Sequence, residues 1–256
     1  MSSTAWPGDY DLQDASRIAV IDAKSGRRHT FKDFDERTNQ IAHFCESWVG
    51  LRPGDCIGLL STPSDDVLQI VIAAAKLGLM ALILDVADPP EALAAAINQH
   101  SPRTVFYGLA QASLIQELWF EVDSVEHIIP LRGAVDTANF EDIVAYYPPT
   151  PPALVGDEKG QVVCFASDGT TWSGEELFAG DETQDSGAVP VAAPLHSPAG
   201  LRAAMQALQS GGCVVIETDA VKIIEPPTGM SPTREEGAAS RRNVPRGRSW
   251  LPHEFK

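Results

Sequence analysis

The chain has 256 residues, 44% of them hydrophobic, which is enough for one large domain or two small ones with a real core. Asp and Glu number 35 against 19 Lys and Arg, so the formal net charge is −16. This balance argues against binding to nucleic acid or to an anionic membrane surface. The four cysteines are scattered through apolar runs without a CxxC spacing, which favours buried free thiols over disulfides or metal ligands.

The sequence also carries no sign of a membrane segment. Residues 1–14 lack the apolar stretch of a signal peptide, and the longest purely apolar runs, such as 79–84, are far too short to span a bilayer. Free thiols are typical of a reducing compartment. We therefore expect a cytoplasmic protein without a membrane span.

Strands and helices alternate along the first half of the chain. Strands are predicted at 17–22, 56–60, 79–84, 104–107 and 125–129, with 28–30 pairing back onto the first. Helices are predicted at 31–48, 64–78, 90–97, 112–120 and 139–147. Thr30 and Ser64 are the expected N-caps of the first two helices, and Asp33 forms an imperfect capping box with Thr30.

A Pro-rich segment at 148–152 reads as a stiff linker between the two halves. Beyond it we expect a strand opening at Val162, an acidic loop at 175–187, a strand at 189–193, a helix at 199–209 and a strand at 213–216. The alternation predicts a layered α/β fold with a mostly parallel sheet and flanking helices. The predicted organisation is an N-terminal arm (1–14), one α/β domain (15–220) and a disordered tail (221–256) rich in Pro, Gly, Ser and Arg.

The most informative stretch is VVCFASDGTTWSG, residues 162–174. An apolar strand breaks there into a turn that can point backbone N–H groups and hydroxyls at one place, which suits phosphate oxygens. Gly169 permits a close approach of the backbone, and Thr170 and Thr171 offer hydroxyl donors. A turn without a ligand is the alternative reading of the same residues.

Five stretches in this order resemble the adenylate-forming (AMP-binding) enzymes, which include acyl-CoA synthetases and the adenylation domains of nonribosomal peptide synthetases. Residues 30–42 are similar to the family's TY-x-EL helix, and 51–60 to its GD-x-V-A turn and strand. Residues 71–85 are similar to its A-x-x-K-x-G segment. Residues 166–171 stand where the family has the phosphate loop TSGTTG-x-PKG, and 194–215 where it has PLFH-x-x-GL and the following strand.

This resemblance implies that ATP, with Mg²⁺, activates a carboxylic acid to an acyl-adenylate, which coenzyme A or a carrier-protein thiol then accepts. It implies cofactor contacts at the phosphate loop and acyl-group contacts at His196 and Gly200. The implied cofactor residues are Ser167, Asp168, Gly169, Thr170 and Thr171. No catalytic residue is assigned. The carboxylates Asp181, Glu182 and Asp185 are interpreted as a solvated loop and not as a metal site.

The chain departs from the family pattern at the loop itself. Asp168 replaces the first Gly, Trp172 replaces the Gly after the threonines, and Glu175 replaces the Lys, with Glu176 beside it. The family's later adenine, ribose and lid motifs are not found in these 256 residues. We therefore expect a truncated and impaired enzyme that binds ATP weakly for reasons of charge. The alternatives are a non-catalytic binding or scaffold module, and a fragment that needs its missing part from another chain.

Overall fold

The computed structural model describes residues 15–132, 139–153, 161–178, 193–217 and 221–224. In these residues ten strands form two sheets, one of six strands and one of four. The strands, numbered in chain order, are β1 (Ile18–Asp22), β2 (Arg28–Thr30), β3 (Cys56–Leu60), β4 (Met80–Leu84), β5 (Thr104–Tyr107), β6 (His127–Pro130), β7 (Gln161–Phe165), β8 (Thr171–Ser173), β9 (Cys213–Ile216) and β10 (Val221–Ile224). The predicted α/β fold is confirmed, with the strands divided between two sheets instead of one.

The described residues also contain seven α-helices. They are α1 (Phe31–Phe44), α2 (Asp65–Lys76), α3 (Pro90–His100), α4 (Ala112–Leu118), α5 (Phe140–Val144), α6 (Gly174–Phe178) and α7 (Pro198–Gln209). A π-helical turn, Cys45–Val49, prolongs α1, and a short 3-10 turn, Leu109–Gln111, precedes α4. None of the helices in the described part of the chain is both long and apolar enough to cross a membrane.

The six-stranded sheet has the spatial order β6-β5-β3-β4-β7-β8. The first five strands pair in parallel, and β8 adds to the edge as an antiparallel partner of β7. Its central strands are nearly continuous runs of buried apolar residues, because helices cover both faces. Residues of α2 pack in the core on one face, and residues of α3 and α4 pack in a second core on the other.

The four-stranded sheet has the order β10-β9-β1-β2 and mixes directions. β1 pairs with β2 as the predicted hairpin and with β9 in parallel. The larger apolar core lies where this sheet, α1, α2 and α7 meet one face of the six-stranded sheet. The four cysteines are buried free thiols, as predicted.

The predicted caps differ in outcome. Thr30 begins α1, where its Oγ1 accepts a 3.0 Å hydrogen bond from the Asp33 amide and donates a 2.7 Å bond to the Asp33 carboxylate. This confirms Thr30 as the N-cap, while the Asp33 carboxylate accepts from the Thr30 hydroxyl and not from its amide, as it would in a full capping box. Ser64 stands at the start of α2 as expected, but its hydroxyl makes no capping bond.

Three predictions of the second half need correction or fall outside the description. The acidic stretch starts with a helix, α6, and not with a loop, because Ser173 and Glu176 form a capping box there. Residues 179–192, which hold Asp181, Glu182 and Asp185 and most of the predicted strand 189–193, lie outside the described residues. Ala193 itself is not in a strand.

The predicted tail includes a strand in its described residues. Val221–Ile224 forms β10, which pairs antiparallel with β9 along its whole length. Val221 is buried and Lys222 is exposed in this strand, so the first four residues of the predicted tail are part of the four-stranded sheet. The remaining tail, 225–256, and the arm, 1–14, lie outside the described residues.

Candidate functional site

The sequence-predicted residues gather at the carboxyl edge of the six-stranded sheet. Ser167 follows β7, and Asp85 follows β4, the neighbouring strand. The amide of Ala166 continues the pairing by donating a 2.9 Å bond to the carbonyl of Ile83. Asp85 and Ser167 each lie two residues beyond the paired Ile83 and Phe165, so both positions stand at this edge of the sheet. Ligands of open α/β sheets bind outside the carboxyl ends of the strands.

Residues 167–171, here named the hydroxyl loop, connect β7 to β8 as a tight turn. The Gly169 amide donates a 2.9 Å bond to the Phe165 carbonyl, and the Phe165 amide donates a 2.8 Å bond to the Thr170 carbonyl. Gly169 has φ +72°, a left-handed conformation that glycine adopts without strain. The geometry of the turn therefore accounts for the glycine at this position.

Asp168 folds back onto its own loop. Its Oδ1 accepts a 2.9 Å hydrogen bond from the Thr170 amide. Together with the bond of Gly169, this commits two of the loop's amides to partners within the loop and β7. The side chain of Asp168 is exposed, so the loop presents a carboxylate to solvent where a phosphate-binding loop presents donors.

Donors nevertheless remain on the hydroxyl loop. Within the described residues, the hydroxyls of Ser167, Thr170 and Thr171 have no hydrogen-bond partner, and neither do the amides of Ser167 and Asp168. Ser167 is exposed, and Thr170 and Thr171 are half-buried. Three hydroxyls and two amides can therefore turn towards an oxyanion.

Trp172 stands where the family pattern has Gly, but its backbone is that of a strand. It lies in β8, opposite Val163, and its ring packs edge-on against Phe165 with the centroids 5.3 Å apart. Extended backbone does not require glycine. The substitution by Trp thus fixes β8 to β7 and leaves the turn at Gly169 unaffected.

Of the two glutamates after the loop, Glu175 and Glu176, the structure describes the side chain of Glu176. The Glu176 carboxylate accepts a 2.8 Å bond from the Ser173 amide and a 3.0 Å bond from its hydroxyl, while the Glu176 amide donates to the Ser173 hydroxyl at 3.1 Å. These bonds to the Ser173 amide and hydroxyl lower the pKa of Glu176. The carboxylate is engaged at the start of α6. The side chain of Glu175 lies outside the described part.

His196 reaches the same edge from the turn before α7. Its Nε2 lies 3.5 Å from Asp85 Oδ2, and the Asp85 Oδ1 accepts a 2.9 Å bond from the Ala87 amide. The neighbouring Leu195 is fully buried and anchors the turn. Asp85 therefore has one oxygen fixed by backbone and the other facing an imidazole, in a partly exposed position.

Gly200 supports this turn by packing closely against its backbone. A Cβ at this position would lie 2.1 Å from the carbonyl oxygen of Pro194, so only glycine lets α7 approach so closely. Ser197 caps α7 by accepting from the Gly200 amide at 3.2 Å, and its hydroxyl donates to the Pro194 carbonyl at 2.7 Å. These contacts fix the backbone that carries His196.

A second group of polar side chains lies near this edge, and the sequence alone does not predict it. Charged side chains from distant parts of the chain meet at the start of α2, and we name them the buried ion cluster. Its members are Asp22, Arg27, His29, Asp65, Asp66, Arg132 and Glu141. Asp65 and Asp66 stand at the start of α2, where carboxylates complement the helix dipole, and no signal in a single sequence points to partners so far away.

Asp65 is the centre of the buried ion cluster, with a side chain that is fully buried. It forms an ion pair with Arg27, and its other oxygen lies 2.6 Å from His29 Nε2. Arg132 binds Asp66 through two nitrogens and reaches Glu141 Oε1 at 3.1 Å. Burial would lower the pKa of Arg27, but the carboxylates around it, Asp65 foremost, raise it. The cluster links β1 and β2 of the four-stranded sheet to the start of α2, to α5 and to the segment after β6.

The residues at the edge do not form a metal-ligand group. In the described ranges no three His, Cys, Asp or Glu side chains lie together as metal ligands. The loop donors fit a phosphate, except that Asp168 opposes its charge.

Comparisons with known proteins found a matching family and several relatives. The model of the AMP-binding enzyme family matches residues 11–171, which include the hydroxyl loop. Mouse long-chain fatty acid transport protein 1 is 28% identical over 102 residues, covering 40% of this chain and 16% of that protein. Isonitrile lipopeptide synthase of Mycobacterium tuberculosis is 28% identical over 160 residues, covering 62% of this chain and 6% of the synthase. The chain thus spans a small part of these relatives.

Solved structures show the same fold. The N-terminal domain of FACL13 from Mycobacterium tuberculosis superimposes with a TM-score of 0.69 at 16% identity, covering 81% of this chain and 56% of that one. The anthranilate CoA ligase AuaEII, solved with anthranoyl-AMP, gives a TM-score of 0.54 at 20% identity, covering 58% of this chain and 29% of the ligase. With the family match over more than half of its length, the chain belongs to the AMP-binding enzyme family.

Proposed function

We propose that this chain holds the phosphate of an adenylate at the hydroxyl loop and a carboxylic acid beside His196, as part of ATP-dependent activation of that acid. The observation that carries the proposal is the set of unpartnered donors on Ser167, Thr170 and Thr171 at the carboxyl edge of the parallel strands. The family match runs through these residues.

The chain's own residues have distinct parts in this proposal. Hydroxyls and free amides of the loop orient the phosphate, and the hydrogen bonds are strengthened by the ligand's charge. His196, which is held by the turn before α7 and faces Asp85, would contact the acyl or carboxylate group of the acid. ATP supplies the adenylate and the driving force, and Mg²⁺ would be held chiefly by the phosphates. The acceptor thiol, coenzyme A or a carrier protein, belongs to the same proposal, as does a cytoplasmic setting, which rests on the four free thiols.

Binding at the loop is tested by an NMR titration of the ¹⁵N-labelled chain with AMP and with ATP and Mg²⁺. We expect the amide signals of Ser167, Thr170 and Thr171 to shift most. Thr170→Val removes a hydroxyl without changing shape and should weaken AMP binding about ten-fold, as expected for a bond to a charged group. Thr150→Val, an exposed threonine in the linker, is the matched control and should bind like the wild type. Shifts confined to another surface would disprove the assignment.

A non-catalytic binding module is the second candidate, and one observation favours it. The Asp168 carboxylate accepts the hydrogen bond of the Thr170 amide, and its negative charge opposes the tight binding of a triphosphate. ATP–pyrophosphate exchange with a panel of carboxylic acids separates the two. Exchange above background assigns the full chemistry to this chain, while loop-mapped binding without exchange supports the module. We expect binding without exchange from this chain alone, because Asp168 opposes a triphosphate at the loop. Exchange restored by adding the family's missing later part would then favour activation over the module.

A further inference from the structure

The hydroxyl loop carries its own anion, and this suggests which phosphates it prefers. The Asp168 carboxylate lies 2.9 Å from the Thr170 amide, which is one of the donors a phosphate would otherwise use. Coulomb repulsion between a fixed carboxylate and a ligand grows in proportion to the ligand's charge. We propose that Asp168 is a specificity-determining residue that makes the loop select singly charged phosphate diesters, such as an acyl-adenylate, over AMP and ATP. This inference rests on the proposed function of the loop.

No described cation offsets this carboxylate within the loop. The loop residues are Ser167, Asp168, Gly169, Thr170 and Thr171, none of them basic. In the described residues Asp168 makes no ion pair, and its hydrogen bond is to a neutral amide. The electrostatic influence of Asp168 reaches beyond the loop, because it adds to burial in raising the pKa of the Cys164 thiol. Its charge is therefore felt by neighbouring groups.

The ligands of an adenylate-forming site differ strongly in charge. A phosphate diester carries about one negative charge, a monoester about two, and a triphosphate about four when no metal is bound. Repulsion by the Asp168 carboxylate therefore weakens the binding of the diester least. A diester also needs fewer hydrogen-bond donors than a triphosphate, so the three loop hydroxyls can serve it without the Thr170 amide. The loop would then hold an activated acid more readily than the nucleotide it came from.

The test is a binding series with adenosine, adenosine 5′-methyl phosphate, AMP and metal-free ATP, measured by calorimetry at low salt. We expect Asp168→Asn, which keeps an oxygen for the Thr170 amide, to strengthen ATP binding most, by about ten-fold or more. AMP should gain about three- to five-fold, the methyl phosphate about two-fold, and adenosine nothing. Raising the ionic strength should compress all of these gains.

Two further variants make the result specific. Asp123→Asn removes the same charge from an exposed turn between α4 and β6, and should change no affinity. Asp168→Ala also releases the Thr170 amide, so its gain for phosphates should exceed that of Asp168→Asn. Circular dichroism of each variant confirms that the fold is kept.

The outcomes are separable from those of the proposed function. Gains that are equal for all four ligands, or that are absent in Asp168→Asn while AMP still shifts the loop amides, overturn the inference and leave the proposed function standing. If neither the wild type nor Asp168→Asn binds a phosphate ligand, both fail. A gain that rises with ligand charge supports both.

Discussion

Two aspartates show how position decides what a carboxylate does in this chain. Asp168 is exposed on a turn and interacts with one amide, so its effect is a local field that salt can screen. Asp65 is fully buried between Arg27 and His29, where neither salt nor water weakens the interaction much. The first carboxylate bears on ligand choice and the second on stability.

Asp65→Asn should therefore destabilise the protein by about 3 kcal/mol, because removing one partner leaves the buried Arg27 guanidinium without its main counter-charge. Urea unfolding followed by circular dichroism measures this loss. Glu36→Gln is the control, since the exposed Lys32–Glu36 pair at 3.9 Å should contribute less than about 0.5 kcal/mol. Equal stabilities of Asp65→Asn and the wild type would show that the ion pair is not formed in solution.

At the scale of elements, the start of α7 is the most constrained junction near the site. Gly200 lets the first turn of the helix lie against the carbonyl of Pro194, and Ser197 caps the helix in the same place. The turn that results directs His196 towards Asp85. The orientation of the His196 imidazole thus depends on the packing at the start of α7.

Gly200→Ala tests this dependence. The new Cβ would meet backbone at 2.1 Å, so the helix must shift, at a cost of about 1–3 kcal/mol in the free energy of unfolding. We also expect the His196 side-chain NMR signals to move, because the turn moves with the helix. Arg202→Ala, on an exposed position of the same helix, should change neither quantity by much. An unchanged melting curve for Gly200→Ala would contradict the close packing.

Elements whose signal is local could be predicted from the sequence. The apolar run of β3, the cap at Thr30 and the turn at Gly169 each depend on residues within a few positions. The sequence analysis predicts a loop where α6 forms, because the segment is rich in acidic residues. The capping box of Ser173 and Glu176 is the local signal that indicates the helix. The site was predicted as a list of residues and not as a geometry.

What could not be predicted depends on contacts between distant residues. The division into two sheets follows from β1 pairing with β9, almost two hundred positions apart. The same is true of the Arg27–Asp65 pair and of the contact between His196 and Asp85. Periodicity reports which face of an element is buried but not which element covers it.

At the scale of the whole molecule, the core holds thiols that should make the fold sensitive to alkali. Burial raises the pKa of Cys45 and Cys56 from the ordinary 9.0 to about 12 and that of Cys213 to about 11. The folded pKa lies above the unfolded one, so this stability is present below about pH 9 and is lost as pH rises towards the folded values.

We therefore expect stability to fall between about pH 8 and pH 10, by roughly 1 kcal/mol for each of these thiols. Urea unfolding across this range, under reducing conditions, measures the slope. Cys45→Ala should have a shallower slope than the wild type, because one ionising group is removed from the unfolded state. Parallel slopes for the two proteins would refute the assignment. Thiol labelling should be slow in the native protein and fast in urea.

The pairing of β1 with β9 has a consequence for how the chain folds during synthesis. Strands β3 to β6 and their helices are near neighbours in sequence and can assemble while translation continues. The four-stranded sheet cannot close until residues 213–216 have left the ribosome, and Arg17 then reaches the Gly211 carbonyl at 3.0 Å. Until that moment β1 and β2 form a hairpin with an open edge, so a nascent chain stalled before residue 213 should be the species that chaperones bind and proteases cut.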